Sequence, residues 1–305
     1  MVKKFYYLTK RNCLVFLRDK GAVFFSLLSM LIVLMLMGVF LGDMNEEHVV
    51  SLLEEYGGVR DLALDEAHAK ELVQYWTLAG ILIVNAVTVT LTVVGNRVAD
   101  SSDGKLASLY SAPVSRGLVA FSYVASAMLV GVFMCVLTLG AALCYIAATG
   151  GELLSLAALG KILLLVVLNV GVFAAMMYLF AIFVKSSSAW SGFGTVIGTL
   201  VGFVGAIYLP MGNLPEGVAT ALKYLPVLHG ASLMRVACCG QALKTAFAGT
   251  PEELVLGYQE YMGIQVELGG KMVNPSFQAL FLAGCGIIAL ILVVLVQGKR
   301  EVSDR

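Results

Sequence analysis

The chain has 305 residues, of which 59% are hydrophobic and only 13% are charged, and its formal net charge is zero. Soluble globular domains are about half apolar and about a quarter charged, so this composition excludes an ordinary soluble domain. A helix needs about 20 apolar residues to cross the hydrocarbon core of a bilayer. The arrangement of the apolar residues along the chain therefore decides the fold class.

Six apolar runs are long enough to cross a membrane, and none contains an Asp, Glu, Lys, Arg or His. A charge at the centre of a membrane helix costs about 2.5–3.5 kcal/mol on insertion scales, so charge-free runs of this length indicate membrane spans. The runs are Ala22–Gly42, Thr77–Gly95, Leu118–Ala148, Ile162–Val184, Ala189–Pro210 and Phe277–Gln297. The sequence predicts an all-α integral membrane protein whose residues 1–305 form a single transmembrane domain with six helices.

Residues 1–20 have a basic face and an apolar face at helical spacing. The first contains Lys3, Lys10, Arg11 and Arg18, and the second contains Leu8 and Val15. This pattern is typical of an amphipathic helix that lies in the headgroup layer. A basic retention signal without a fixed structure is the alternative.

The external loop between the first two spans, residues 43–76, is acidic and helix-forming. We expect short helices over Glu46–Tyr56 and Asp65–Tyr75, broken by Gly57-Gly58, and Trp76 as an aromatic anchor at the membrane interface.

The second and fourth predicted spans contain polar residues at membrane depth. Asn85, Thr88 and Asn169 either line a pathway or form hydrogen bonds between helices.

A cytoplasmic loop, residues 97–117, joins the second and third spans. Asp103-Gly104 favours a turn, Leu106–Tyr110 a short helix, and Pro113 ends it. Leu106 and Leu109 stand three residues apart and give this helix a small apolar face. A short tethered helix with such a face suits docking on another protein.

The fifth span carries Gly194, Gly198 and Gly202, which lie on one helix face and predict close packing against a neighbouring helix or a second subunit. The external segment 211–276 follows. Leu214–Tyr224 and Leu228–Cys239 are too short to span, and we expect two re-entrant half-helices buried against protein.

The remaining external piece, residues 241–274, is predicted to be a folded cap. Thr250 is expected to cap a helix that has Pro251 at its first position and runs to about Met262. Gly269-Gly270 predicts a two-residue hairpin.

Basic residues are concentrated in the short loops and termini on one side of the predicted membrane, and acidic residues on the other. Positive residues stay cytoplasmic in short loops, so both termini are expected in the cytoplasm of a prokaryotic cell.

The predicted spans contain no titratable group that could couple transport to an ion gradient. The sequence also has no phosphate-binding loop for ATP, since Gly240–Thr245 lacks the required spacing. The energy for any active transport must then come from another protein. We expect no catalytic residue, metal ligand or cofactor site on this chain.

These segments resemble one family, the membrane subunits of ABC exporters of the second type, which includes drug-efflux and polysaccharide-export permeases. The residues that carry the resemblance are Leu8–Asn12 and Arg18-Asp19, then Asp103–Leu106, Leu109 and Pro113–Arg116, and finally Leu214-Pro215, Pro226, His229 and Arg235. They cover nearly the whole chain, in the family's order and with a matching topology. The segment from about Gln241 to Asn274 is longer than expected for the family.

The resemblance implies a cytosolic ABC ATPase as partner, with Mg-ATP bound on that ATPase, and a dimer formed with a second copy or a homologous permease. Membrane lipid surrounds such a complex, and no nucleic acid is expected. The residues implied in coupling to the ATPase are Asp103, Gly104, Leu106, Leu109, Pro113 and Arg116.

The function expected from these features is export of a hydrophobic or amphipathic drug, peptide or toxin. Met30, Met35 and Met37 in the first span suit an adaptable apolar cavity, although they are equally suited to contact lipid. Export of a lipid-linked polysaccharide is an alternative. Two other classes of function stay open. One is a carrier or channel driven by an ion gradient, and the other is an accessory or immunity protein without transport activity.

Overall fold

The computed structural model describes residues 1–36, 42–56, 60–111 and 113–303. Within these ranges the chain is almost entirely helical, which confirms the predicted all-α class. The helices are α1 Val2–Arg18, α2 Lys20–Leu36, α3 Gly42–Tyr56, α4 Leu62–Ser102, α5 Lys105–Ser111, α6 Arg116–Ala148, α7 Leu156–Phe183, α8 Ser187–Val204, α9 Glu216–Leu222, α10 Pro226–Ala246, α11 Glu252–Tyr261 and α12 Pro275–Ser303. A 3-10 turn at Met211–Asn213 precedes α9, and β1 Glu267–Leu268 pairs antiparallel with β2 Lys271–Met272.

Five helices among the described residues are long and apolar enough to cross a membrane: α4, α6, α7, α8 and Pro275–Gln297 of α12. They coincide with the second to sixth predicted spans. Helix α2 begins close to the start of the first predicted span, Ala22–Gly42, but the end of that span lies outside the described residues. The count of six spans therefore stays a prediction.

Helix α4 runs through the middle of the bundle. Its 41 residues correspond to about 60 Å at 1.5 Å per residue, twice the thickness of a hydrocarbon core. The Asp61 carboxylate accepts a hydrogen bond from the Ala63 N–H at its start, and Gly104, with a φ of 73°, follows its end. Its central turns hold no charged residue and are largely buried, and the helix packs against α3, α6, α7, α8 and α10. A single rigid element thus connects the two ends of the molecule.

Replacing Gly131 with alanine is expected to destabilise the bundle by about 1–3 kcal/mol. Gly131 lies where α6 meets α4 and α7, and an added Cβ would stand 2.6 Å from a Val170 methyl group and 3.3 Å from a Thr90 methyl group. Val170 is β-branched, so its side chain cannot rotate aside at little cost. Gly140 on the same helix is the matched control, since a Cβ there meets nothing within 4 Å. Equal thermal unfolding midpoints in detergent for the two alanine variants would contradict this.

The predicted external helices are partly wrong. Residues 65–75 belong to the continuous α4, and the predicted break at Gly57-Gly58 lies outside the described residues. Trp76 is buried, and its indole N–H donates to the Met262 carbonyl oxygen at 2.9 Å. Trp76 is therefore an interior residue, because the cap formed by the C-terminal half of the chain covers this end of α4.

The cap is built largely as expected. The Gly269-Gly270 turn joins β1 to β2 with φ angles of 60° and 78°, both in the left-handed region that glycine favours. Pro251, however, is the residue before the first turn of α11, and the Thr250 hydroxyl donates to the Phe247 carbonyl oxygen at 2.8 Å instead of capping the helix.

The predicted half-helices also need correction, since α9 is shorter than Leu214–Tyr224 and α10 is longer than Leu228–Cys239. Helix α10 continues beyond Gly240 because the residues that follow are good helix formers and its inner face packs on α4, α7 and α12. Whether this segment is re-entrant in a membrane stays a prediction.

Candidate functional site

The loop between the second and third predicted spans, residues 97–117, forms a short helix, as predicted. Asp103 ends α4, Gly104 takes a left-handed conformation, and α5 follows over Lys105–Ser111. The Ser115 hydroxyl then accepts from the Leu118 N–H at 3.3 Å and starts α6. The Lys105–Asp103 ion pair, 2.8 Å long, is exposed on both sides.

The apolar face of α5 points inward and is not free for docking. Leu106 is only 6% exposed and belongs to the main hydrophobic core, and Leu109 packs against that core. Apolar residues at helical spacing turn towards the nearest apolar surface, which here is the chain's own bundle. The surface of α5 that remains accessible is polar and small; it consists of Lys105, Ala107, Ser108 and Ser111.

Two contacts stabilise the C-terminal part of this loop. The Arg116 guanidinium stacks on the Tyr110 ring with 4.8 Å between its central carbon and the ring centroid. The Lys4 ammonium group of α1 donates to the Pro113 carbonyl oxygen at 2.6 Å. Pro113 is itself exposed. Of the six predicted coupling residues, Asp103, Gly104 and Pro113 are thus accessible, and the other three position the loop.

A largely buried polar cluster joins α1 to the end of the bundle that carries α5. The Arg11 guanidinium binds the Asp100 carboxylate with two hydrogen bonds, Nη1 to Oδ2 at 2.5 Å and Nη2 to Oδ1 at 2.9 Å. The Tyr123 hydroxyl donates to the same carboxylate at 2.5 Å, and Asn12 contacts Ser122 at 3.4 Å. The hydrogen bond to Asp100 raises the pKa of the Arg11 guanidinium further above its usual value.

Helical spacing places Arg11 on the basic face of α1 and gives no partner for Asp100. Lys3, Lys10 and Arg18 are exposed, as that interpretation requires, whereas Arg11 turns into the protein. The available signal was an acidic residue just beyond an apolar run, in a loop otherwise dominated by basic residues. Helix α1 is therefore docked on α4 and α6 in addition to being amphipathic.

Arg97 fixes the same end of α4 to α7. It is 4% exposed, and its guanidinium donates to the Ala181 carbonyl oxygen at 2.6 Å, in the last turn of α7. Carbonyl groups at a helix C-terminus lack partners within the helix, and a basic side chain can satisfy them. The loop of residues 97–117 therefore begins at the C-terminal end of α4, which α1, α6 and α7 hold in place.

The proposed pathway residues lie inside the bundle. The Asn85 amide donates to the Thr138 hydroxyl at 2.7 Å and joins α4 to α6. Thr88 bonds to its own helix through the Val84 carbonyl oxygen at 2.9 Å. The Asn169 amide donates to the Leu165 carbonyl oxygen at 2.9 Å. The interhelical interpretation holds for Asn85, and a role in lining a pathway stays a prediction.

The three glycines of α8 do not share one contact within the chain. A Cβ on Gly194 would stand 3.1 Å from Leu91, and one on Gly202 would overlap the Tyr208 ring at 2.1 Å. A Cβ on Gly198 would meet nothing within 4 Å. The chain itself covers the two outer members of the series, and the surface around Gly198 is open.

Arg235 secures the opposite end of the molecule. Its side chain is fully buried, and its guanidinium donates to the Gly263 carbonyl oxygen at 3.0 Å and to those of Gly205 and Ala206 at 3.0 and 2.6 Å. It also stacks on Trp76, 4.8 Å from the ring centroid. Burial lowers the pKa of this guanidinium to about 10, so it remains charged at neutral pH. The Arg235 side chain therefore connects the end of α8, the end of α11 and the N-terminal half of α4.

No group of three or more His, Cys, Asp or Glu among the described residues is placed to bind a metal ion. The geometry is that of a membrane bundle with a structured loop at one end and, at the other, a cap held by hydrogen bonds from Arg235.

A family model described as ABC-2 type transporter matches residues 3–238, well over half of the chain. The search of curated proteins found no match to the chain. The chain belongs to the ABC-2 type transporter family of membrane subunits.

Proposed function

We propose that this ABC transporter permease is part of an exporter driven by a separate cytosolic ATPase, and that α5 receives the movement of that ATPase. The observation that carries the proposal is the division of α5 into two faces. Leu106 fixes one face to the transmembrane core, while Ala107 and Ser108 leave the other face accessible at the end of the bundle. A force applied to the accessible face would reach the core directly.

Helix α4 offers the route for that force. At its cytoplasmic end, Asp100 connects it to α1. At its other end, Asp65 forms a bidentate ion pair with Arg60, whose guanidinium also donates to the carbonyl oxygens of Ala246 and Ala248 at 3.1 and 3.2 Å. A displacement of α5 along α4 would therefore alter the cap as well as the bundle.

The substrate pathway in this proposal lies between two permeases. Helix α8 is the least covered of the spans, with apolar side chains such as Val196 and Leu200 exposed around the open Gly198. An apolar surface of this kind suits a second permease and a hydrophobic or amphipathic substrate. The partner permease would be another copy or a homologous chain.

Replacing Ala107 with tryptophan is expected to weaken association with the ATPase at least tenfold. A bulky side chain in the centre of a small docking surface prevents close contact, and changes at such positions typically cost 2 kcal/mol or more, roughly a thirtyfold loss. The measurement is copurification of a candidate ATPase with the permease, followed by substrate-stimulated ATP hydrolysis in liposomes.

Ala221→Trp is the matched control, because Ala221 is exposed on α9, another seven-residue helix, at the opposite end of the bundle. It should leave copurification and hydrolysis unchanged. If Ala107→Trp keeps its unfolding midpoint and still supports coupled hydrolysis, α5 is not the docking element. Uphill transport by the purified permease alone would reject the need for an ATPase.

A further inference from the structure

A cavity of about 670 Å³ lies at the end of the bundle opposite the coupling loop, between the first turns of α7 and α12 and the outer half of α10. Its volume falls within the range of about 300–1,000 Å³ that is typical of ligand sites. Its floor is apolar and includes Leu165, Leu233 and Val236. Leu164 at its side is 70% exposed, so the cavity opens towards the surface that the bilayer would cover.

The charged side chains that line this cavity are cationic, and its neutral polar side chains are Ser155 and Gln241, of which Gln241 donates to the Glu152 carboxylate at 3.3 Å. Lys161 of α7 and Lys244 of α10 both line it, and both side chains are exposed. None of the described residues that line it is an Asp or a Glu, and neither lysine forms an ion pair within the described structure. The N-terminal turns of α7 and α12 also border it, at Ser155 and Pro275, and helix N-termini carry partial positive charge. Two cations and two helix N-termini therefore border one apolar cavity whose described lining contains no acidic residue.

We propose that this cavity binds an anionic phospholipid, with the phosphate between Lys161 and Lys244 and an acyl chain along the apolar floor. Lys161 lies directly before the predicted fourth span, which is the depth of the headgroup layer. A lysine at this depth can lay its stem on apolar surface and keep its ammonium group in the headgroup region. A soluble anion would gain nothing from the apolar floor, and a zwitterionic lipid would gain less from the lysines because its own cationic group offsets the charge of its phosphate.

This site is separate from the proposed docking surface on α5, so it would regulate or stabilise the permease independently of the ATPase. The test uses the purified full-length chain in a non-ionic detergent, titrated with phosphatidylglycerol or phosphatidylcholine. Native mass spectrometry measures binding, and the shift of the unfolding midpoint measures stabilisation. We expect phosphatidylglycerol to bind more tightly and to raise the midpoint. Each of Lys161→Gln and Lys244→Gln should weaken its binding about fivefold, and the double variant about thirtyfold.

Two variants separate binding from folding. Gly240 lines the cavity, and a Cβ there meets nothing within 4 Å, so Gly240→Phe should fill the cavity without a clash. It should abolish tight binding of phosphatidylglycerol while the lipid-free midpoint stays unchanged or rises. Lys271→Gln, at an exposed lysine of the β-hairpin on the same side, should bind like the unaltered chain.

Three results would overturn the proposal. The first is equal affinity for the two lipids, and the second is unaltered binding in the double lysine variant. The third is competition by glycerol 3-phosphate at the same concentration as the lipid, which would identify a simple anion site with no role for the apolar floor.

Discussion

We expect Arg235→Met to lower the free energy of unfolding by about 3–5 kcal/mol, the largest effect of the single substitutions proposed for this chain. The loss of the guanidinium leaves the carbonyl oxygens of Gly205, Ala206 and Gly263 buried without donors. Each buried group left unsatisfied costs about 1–3 kcal/mol, partly offset by no longer burying a charge. The variant also loses the contact with Trp76.

Arg235→Lys should restore only part of this stability. The two ends of the guanidinium bond to separate segments, Nη1 to Gly263 and Nη2 to Gly205 and Ala206, and a single ammonium group on a flexible stem cannot occupy both positions. Denaturant unfolding in detergent micelles gives the comparison, with the exposed Lys271→Met as control. A methionine variant as stable as the unaltered chain would show that the cap does not depend on this side chain.

The second large effect is expected in the polar cluster that docks α1. A double-mutant cycle with Arg11→Gln and Asp100→Asn should give a coupling energy of about 1.5–3 kcal/mol, as for other charge-assisted hydrogen bonds. The Asp100 side chain is only 8% exposed and the pair is bidentate, whereas the Arg11 side chain is 36% exposed, so solvent screens the pair in part and the coupling energy should fall in the lower half of this range. Release of α1 should also reduce coupled ATP hydrolysis, because α1 contacts the coupling loop through Lys4.

The adjacent ion pair between Lys105 and Asp103 supplies the matched control. It has a similar length, 2.8 Å, but both side chains are more than half exposed. Exposed pairs contribute about 0–1 kcal/mol, so the cycle with Lys105→Gln and Asp103→Asn should give a coupling energy near zero. If the two cycles gave equal values, burial would not be what makes the Arg11–Asp100 pair important, and the docking of α1 would need another explanation.

These two effects describe a molecule that is secured by arginines at both ends of its central helix. Arg11 and Arg97 hold the C-terminal end of α4, and Arg60 and Arg235 hold the cap around its other half. The apolar middle carries the packing, where single methyl groups matter, as at Gly131. Specific geometry is thus concentrated where the helices meet polar surroundings, because contacts among apolar helices in lipid discriminate poorly between alternative positions.

Local chemistry was sufficient for several elements. Charge-free apolar runs located five of the spans, since a run of about 20 such residues has no stable place other than a bilayer. Asp103-Gly104 predicted the turn before α5, and Gly269-Gly270 predicted the hairpin, because both turns use the positive φ angles that glycine tolerates. The family resemblance shares the Asp103-Gly104 turn and the spans with these features, but not the hairpin.

Tertiary structure alone decided how the elements face one another. Helical spacing put Leu106 and Leu109 on one face of α5 but could not show that the chain's own core would cover it. Arg11 and Asp100 are 89 residues apart, and such long side chains can reach any of several helices, so spacing along the chain contains no information about their pairing. The sequence by itself determined that the chain crosses the membrane and where most of the crossings lie. The packing of those crossings determined which surfaces remain free to bind an ATPase, a second permease or a lipid.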